Sequence, residues 1–218
     1  MNKNDALTLR VNPTQKRAKE KIALILDTAA QLLDEIGSDA LTTKRIAQRA
    51  SIRVRNVYRY FPNKQAVIYA LAQTMALKQS EYIDNFALIA NPDVDLEKAL
   101  EVTVDSFLKA VIEQPGILSI RKAMQSSPEL RLLDEQFNVD LADKLAKAFK
   151  KRGALPDGQD LDLICTVIID VSTALLDRAG AELAESRDFA KAGRIVDELK
   201  RILKAYSAAF LNGVSLHL

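Results

Sequence analysis

The 218-residue sequence contains one cysteine, one histidine, no tryptophan and no long apolar run. A single cysteine, Cys165, excludes an intramolecular disulfide, and its surroundings L-I-C-T-V-I-I predict a buried apolar side chain. The lone histidine is His217, and there is no Cys/His pair, glycine-rich phosphate loop or H-E-x-x-H segment. Capping of a helix start explains the neighbouring carboxylates Asp160 and Asp162. We therefore predict a protein that is not an enzyme and has no metal site and no cofactor.

No apolar run approaches the roughly 20 residues that a membrane span requires, and the N-terminus has no continuous apolar segment. We therefore expect a cytoplasmic protein that does not bind a membrane. Six prolines and seven glycines leave few breaks, and strand-like alternation of useful length is absent from the sequence. With 48% hydrophobic residues, the chain can bury a substantial core. The sequence predicts an all-α fold of about nine helices.

The segment 41–64, L-T-T-K-R-I-A-Q-R-A-S-I-R-V-R-N-V-Y-R-Y-F-P-N-K, has the pattern of two short helices joined by a tight turn. Apolar residues recur at helical spacing in both parts and occupy the corner between them: Ile46, Ala47, Ile52, Val54, Val57 and Phe61. With this apolar side inward, the second helix is predicted to point four side chains outward, with Tyr58 at the edge: Arg55, Asn56, Arg59 and Tyr60. The pattern is that of a helix-turn-helix.

The outward residue types suit DNA, because arginine forks onto guanine or phosphate, asparagine pairs with adenine, and tyrosine reaches a phosphate or a thymine methyl. The alternative is a basic helical hairpin whose charges only face water. Two neighbouring features favour DNA. Thr42 or Thr43 can cap the leading helix, whose N-terminus would accept a phosphate. Pro62 ends the second helix, Asn63 can cap the next one, and Lys64 is left beside the site as a phosphate partner.

Charge is divided unevenly along the chain. Up to Lys64 there are 13 Lys and Arg against 6 Asp and Glu, and the remainder carries 18 against 23, so a near-neutral protein has a basic end. We interpret residues 1–16 as a mobile basic arm that brings Lys16 and Arg17 to DNA, with a solvated tail as the alternative. Residues 17–64 form the predicted helix-turn-helix domain, a three-helix head whose first helix ends at Gly37, with a linking helix from about 63.

Across about Arg17 to Leu71, L-T-T-x-x-I-A-x-x-A followed by Y-x-x-F-P-x-K resembles the TetR family of bacterial transcriptional regulators. The resemblance implies a homodimeric repressor that binds a palindromic operator in double-stranded DNA and releases it when a small-molecule inducer binds the C-terminal domain. The family's operator contacts correspond here to Thr43, Lys44, Asn56, Tyr58, Tyr60 and Lys64. The further residues predicted to bind DNA are Lys16, Arg17, Arg53, Arg55 and Arg59.

The turn departs from the family pattern at three positions. Ser51 replaces the usual glycine, Arg53 replaces a capping serine, and Arg55 replaces a frequent glycine. A left-handed conformation at Ser51 would cost about 1–2 kcal/mol, and the missing cap at Arg53 about 1 kcal/mol. We predict a turn that is weaker in isolation and more dependent on phosphate.

Residues 65–218 are predicted to form a helical ligand-binding and dimerisation domain. A long helix is expected from Asn63 to about Ala90, followed by a break at Asn91-Pro92. The later helix starts and ends are marked by Asp95, Pro115-Gly116, Ser127-Pro128 and Gly153. The long helix begins in the head and ends in the second domain, which makes it the expected mechanical link.

The segment from Asp160 to about Glu185 is apolar on nearly its whole circumference, apart from a polar stripe at Thr166, Asp170, Thr173 and Asp177. A helix that is apolar on more than one side must be covered on more than one side, and the last helix can cover only part of it. We predict a subunit interface of four helices across a two-fold axis. A monomer with a thick core is the alternative. The predicted interface residues are Ile168, Val171, Leu175, Ile195, Leu199, Leu203 and Tyr206.

The inducer site is predicted as an apolar cavity with a polar contact from Arg121 or Asp170. Each candidate can also be ordinary core or surface; the candidates are Phe107, Arg121, Met124, Phe137, Leu141 and Asp170. A second hypothesis for the whole chain is a DNA-binding adaptor whose helical domain engages a partner protein. A cavity in the second domain favours the regulator, whereas a closed core with an exposed apolar groove favours the adaptor.

Overall fold

The computed structural model describes residues 7–10, 15–82, 86–113, 116–153, 160–186 and 188–211. Every regular element in these ranges is helical, as the sequence predicts. The helices are α1 Lys16–Ala40, α2 Thr43–Arg49, α3 Val54–Tyr60, α4 Lys64–Tyr82, α5 Phe86–Ala90, α6 Leu96–Glu113, α7 Ile117–Met124, α8 Pro128–Arg152, α9 Leu161–Ala181 and α10 Phe189–Leu211, with a π-helical turn at Glu182–Ser186. None of these helices is long and apolar enough to cross a membrane.

The chain divides into two compact units, one of residues 1–78 and 115–134 and the other of residues 79–114 and 135–218. The first unit is therefore larger than the predicted segment 17–64. It includes α7, which packs along α1. Gly116, at φ +82°, begins α7 so close to α1 that an added Cβ would lie 3.4 Å from Asp34 Oδ2. Two helices, α4 and α8, continue from one unit into the other.

The first unit is built around the apolar stripe of α1, whose buried residues include Ile25, Ala29, Leu32 and Leu33. The helix is interrupted where the sequence predicts, since Gly37 has φ +72° and ψ 173°. α2 packs against α1 and α3 against α2, which confirms the three-helix arrangement.

The predicted capping residues occupy the helix starts. Asn63 Oδ1 accepts a hydrogen bond from the Ala66 amide over 2.8 Å at α4, and Asp95 Oδ1 accepts one from the Lys98 amide over 2.9 Å at α6. The helix expected over 63–90 is described as two, α4 and α5, and residues 83–85 between them lie outside the described ranges. The predicted signals at Pro115 and His217 also lie outside them.

In the second unit, α9 packs against both α6 and α10. Its inward residues Ile164, Cys165 and Ile168 meet Phe149 of α8 and Leu199 of α10 in one continuous core. The apolar circumference of α9 is therefore covered in part by helices of the same chain.

The thiol of Cys165 is expected to be unreactive in the native protein. It is fully buried, and burial raises its pKa to about 12, so only about one thiol in 10⁴ is ionised at pH 8. Ellman's reagent should label native protein at the rate at which α9 opens, and label it at once in denaturant. Rapid labelling without denaturant would contradict the packing of α9.

Candidate DNA-binding surface

The turn between α2 and α3 has the geometry that the sequence predicts. Thr42 caps α2, its hydroxyl accepting from the Arg45 amide over 3.1 Å. Ser51 has φ +54° and is the only non-glycine residue with positive φ in the described ranges. Arg53 occupies the N-cap of α3 and makes no side-chain cap. α3 therefore follows a strained turn and begins without a capping side chain.

A hydrogen bond between two side chains joins α2 to α3. Thr43 is buried, and its hydroxyl donates to the Tyr58 hydroxyl over 3.0 Å. Both residues were predicted to touch DNA. In the free protein their hydroxyls set the spacing of the two helices, and the ring of Tyr58 stays 43% exposed.

The outward face of α3 differs from the prediction at two residues. Tyr60, predicted to point outward, is only 4% exposed, and Val54, predicted to point inward, is 41% exposed. On an ideal helix both lie about 60° from the buried Val57. Tyr60 lies at the end of α3 where the backbone of Arg10 binds its carbonyl, whereas Val54 lies at the open end beside the turn. The Arg59 guanidinium sits 5.8 Å from the centroid of the Tyr60 ring.

Three basic side chains near the surface form hydrogen bonds with other groups of the first unit. Arg45 Nη1 donates to Ala40 O over 2.8 Å, and Lys64 Nζ, half-buried, donates to Ser38 O over 2.9 Å at the end of α1. The guanidinium of Arg49 forks onto both carboxylate oxygens of Glu35, at 2.9 and 2.5 Å, and this hydrogen bond lowers the pKa of Glu35. Lys64, predicted as a phosphate partner, thus also holds the end of α1.

A second set of cations is exposed around the turn. Lys44, Arg53 and Arg55 are exposed, and none of the residues that the structure describes pairs with them. Asn56 is half-buried beside them. No acidic residue occurs between Asp39 and Glu81 in the sequence. The surface around Lys44, Arg53 and Arg55 is therefore cationic without internal neutralisation, as binding to a polyanion requires.

The start of α1 adds two more exposed cations, Lys16 and Arg17. Gln15 provides no side-chain cap there, and the first turn contains no acidic residue. Just before it, Leu7 is buried and Arg10 hydrogen-bonds the end of α3. The described part of the predicted mobile arm is thus bound to the first unit. Nothing in the sequence marked this contact, because single residues in a short tail carry no periodicity.

Comparison with protein families places the chain that carries this surface. The model of the bacterial regulatory proteins of the tetR family matches residues 25–71, which contain the turn and both of its helices. A model of the tetracyclin repressor-like C-terminal domain matches residues 94–211, more than half of the chain. The chain belongs to the TetR family.

Relatives within the TetR family match to different extents. The class C tetracycline repressor protein of Escherichia coli is 39% identical over 113 residues, 51% of this chain and 49% of that protein. The chain thus aligns with about half the length of that curated relative. A TetR-family regulator from Streptomyces coelicolor superposes with a TM-score of 0.61 at 28% identity, covering 87% of this chain and 99% of the other. The SmeT–triclosan complex has a TM-score of 0.64 at 20% identity, covering 85% and 91%, and so shares the fold.

The residues predicted to bind a ligand fall in both units. Met124 and Arg121 lie on α7 in the first unit, where Met124 is fully buried. In the second unit, the rings of Phe107 and Phe86 pack in a tilted arrangement with their centroids 6.2 Å apart. Asp170 is exposed, and its Oδ1 accepts a hydrogen bond from Asn138 Nδ2 over 3.2 Å. Leu141 borders the core and Phe137 is half-buried.

A groove of about 260 Å³ lies elsewhere in the second unit, between α6 and α10. Its floor is apolar, formed by Leu100, Val104 and Leu203. Its rim carries both charges, including an ion pair of Lys204 with Glu97 that raises the pKa of Lys204. This groove was not predictable from local sequence patterns, because the two helices that form it are about 100 residues apart.

The predicted interface residues are likewise divided by the structure. Ile168, Leu199 and Leu203 are buried in the core of their own unit. Four others are half-buried: Val171, Leu175, Ile195 and Tyr206. Exposed apolar residues outside the predicted set are Leu163 and Val167 on α9 and Phe189 and Ile202 on α10. When a helix is apolar on all sides, its sequence does not show which side packs against the rest of its own chain.

Proposed function

We propose that this TetR-family chain is a ligand-responsive transcriptional repressor, which binds a palindromic operator as a homodimer in the cytoplasm and is released by a small molecule. The observation that carries the proposal is the group of exposed cations on α2 and at the start of α3, Lys44, Arg53 and Arg55, which have no partner among the described residues and accompany Asn56. Lys44, Arg53 and Arg55 would neutralise phosphates, and Asn56 would pair with an adenine edge.

The division of the cations supports this assignment. Internal carbonyl and carboxylate groups already bind Arg45, Arg49 and Lys64, so these residues stabilise the scaffold. Desolvating Lys44 or Arg53 would, by contrast, break no hydrogen bond with the described residues. DNA-binding sites separate positioning contacts to phosphate from contacts to base edges, and side chains suited to both types occur here.

The exposed side of α9 supports assembly as a dimer. Leu163, Val167, Asp170 and Ala174 follow one another at spacings of four, three and four residues, so they form one exposed stripe. Ile202 and Ala205 are exposed on the adjoining α10. Alanines let helices approach closely, and two such surfaces related by a two-fold axis form a four-helix interface.

Release by a small molecule is supported by the fold shared with the SmeT–triclosan complex. The site remains a proposal, with Phe107, Phe137, Leu141 and Asp170 in the second unit as its predicted members. Thermal-shift screening of a metabolite and drug panel should find compounds that raise the melting temperature, since a ligand at 100 times its Kd stabilises by about 2.7 kcal/mol.

The test of DNA recognition compares Asn56→Ala with Lys44→Ala. Asn56→Ala should lower affinity for a duplex selected in vitro by the wild-type protein about 5- to 150-fold, since a base contact contributes about 1–3 kcal/mol, and leave random DNA unaffected. Lys44→Ala should weaken both duplexes alike. The exposed Gln31→Ala on α1 is the control with unchanged binding. An undiminished preference in Asn56→Ala would show that α3 does not read the operator.

A further inference from the structure

The C-terminal end of α3 is held by a segment of the chain that precedes α1. The Arg10 amide donates to Tyr60 O over 2.9 Å, and Arg10 Nη1 donates to Tyr58 O over 3.2 Å. Leu7, three residues earlier, is buried and anchors the segment. One residue therefore supplies two donors to the last turn of a helix 48 positions further along the chain.

α3 depends on such donors more than an ordinary helix does. It has only seven residues, and Arg53 provides no cap at its start. The carbonyl of Tyr58 would normally accept from the amide four residues later, but that residue is Pro62, which has no N–H. The Phe61 amide already binds Val57 O. Arg10 therefore satisfies a carbonyl that the sequence of α3 itself leaves without a donor.

We propose that Arg10 is a positioning residue for operator recognition, acting by closing the end of α3 and not by contacting DNA. The proposal rests on the proposed function, because it takes α3 as the helix that reads bases. Tyr58 is held from two sides, its hydroxyl by Thr43 and its carbonyl by Arg10. Asn56 lies only two residues before Tyr58. Fixing the backbone of this turn therefore also fixes the direction in which the side-chain amide of Asn56 leaves the helix.

A positioning role and a phosphate contact have different signatures. A cation that neutralises one phosphate contributes equally to the binding of operator and random DNA. Its removal makes the slope of the logarithm of the binding constant against the logarithm of the salt concentration less steep by about 0.9. A residue that only orders α3 supports the base contacts and leaves that slope unchanged. The guanidinium of Arg10 is exposed enough to be removed without creating a cavity.

The experiment uses full-length Arg10→Ala, with Thr8→Ala as the control from the same exposed segment. The DNA probes are a duplex selected in vitro by the wild-type protein and a random duplex, each titrated at several salt concentrations. Arg10→Ala should bind the selected duplex about five- to tenfold more weakly, as expected for the loss of one hydrogen bond of ordinary net strength, with random binding and salt slope unchanged. Thr8→Ala should match wild type.

Hydrogen exchange of the DNA-free protein gives a second measurement. The amides of α3 should exchange about fivefold faster in Arg10→Ala, while those of α1 remain as in wild type. Equal weakening on both duplexes with a reduced salt slope would make Arg10 a phosphate ligand and overturn the proposal, and so would unchanged exchange in α3. A wild-type protein without any preferred duplex would reject the proposed function instead. The exchange rates would then still show whether Arg10 orders the end of α3.

Discussion

Replacing Val167 and Ile202 together by glutamate is expected to give a folded monomer that has lost most of its operator affinity. Both side chains are well exposed, 40% and 44%, so the charges face water within one chain. In the proposed dimer the same charges would be buried without partners. A dimer binds two half-sites at once, and loss of that bivalency lowers affinity roughly 10²- to 10⁴-fold. Sedimentation and operator titration measure the two effects.

Two further variants make the dimer test specific. Leu132→Glu changes a residue that is 66% exposed on α8, in the first unit, and should leave both dimer and operator binding intact. Leu203→Glu places its charge in the core of the second unit and should unfold it, which circular dichroism would show. A Val167→Glu/Ile202→Glu protein that still sediments as a dimer would place the interface elsewhere.

Saturating operator DNA is expected to weaken inducer binding by the same factor by which inducer weakens operator binding. Reciprocity follows from thermodynamic linkage, and a coupling of about 1–3 kcal/mol corresponds to a factor of 5 to 150. Calorimetric titration of a compound found by thermal shift, with and without operator, measures it. Equal affinities in the two titrations would reject ligand gating and favour an adaptor that binds a partner protein.

The coupling between inducer and operator binding can be tested at α8, because this helix continues from one unit into the other. Glu135→Gly with Gln136→Gly softens α8 where it passes from the first unit to the second, at about 1 kcal/mol per glycine. The coupling factor should then fall without reaching one, because α4 also continues between the units, while each ligand alone binds as before. Asp143→Gly with Lys144→Gly, exposed on the same helix but wholly within the second unit, is the matched control and should keep the coupling.

Local rules of the chain were sufficient to place several helix starts. Thr42, Asn63 and Asp95 cap the helices that follow them, since a capping hydrogen bond spans only two or three residues and its partners are adjacent in sequence. The strained Ser51 and the uncapped start at Arg53 were predictable for the same reason. The helix-turn-helix pattern and the excess of positive charge around it are likewise properties of the sequence itself.

Which side of a helix faces inward was decided only by tertiary packing. Tyr60 and Val54 lie at equal angles on either side of Val57 on a helical wheel, yet Tyr60 is buried and Val54 is exposed. The same holds for α9, where an apolar circumference gives no sign that Ile168 faces the core and Val167 faces outward. Arg10 binds a carbonyl 48 residues away. Contacts over such separations depend on where whole helices are placed, and local periodicity contains no information about that placement.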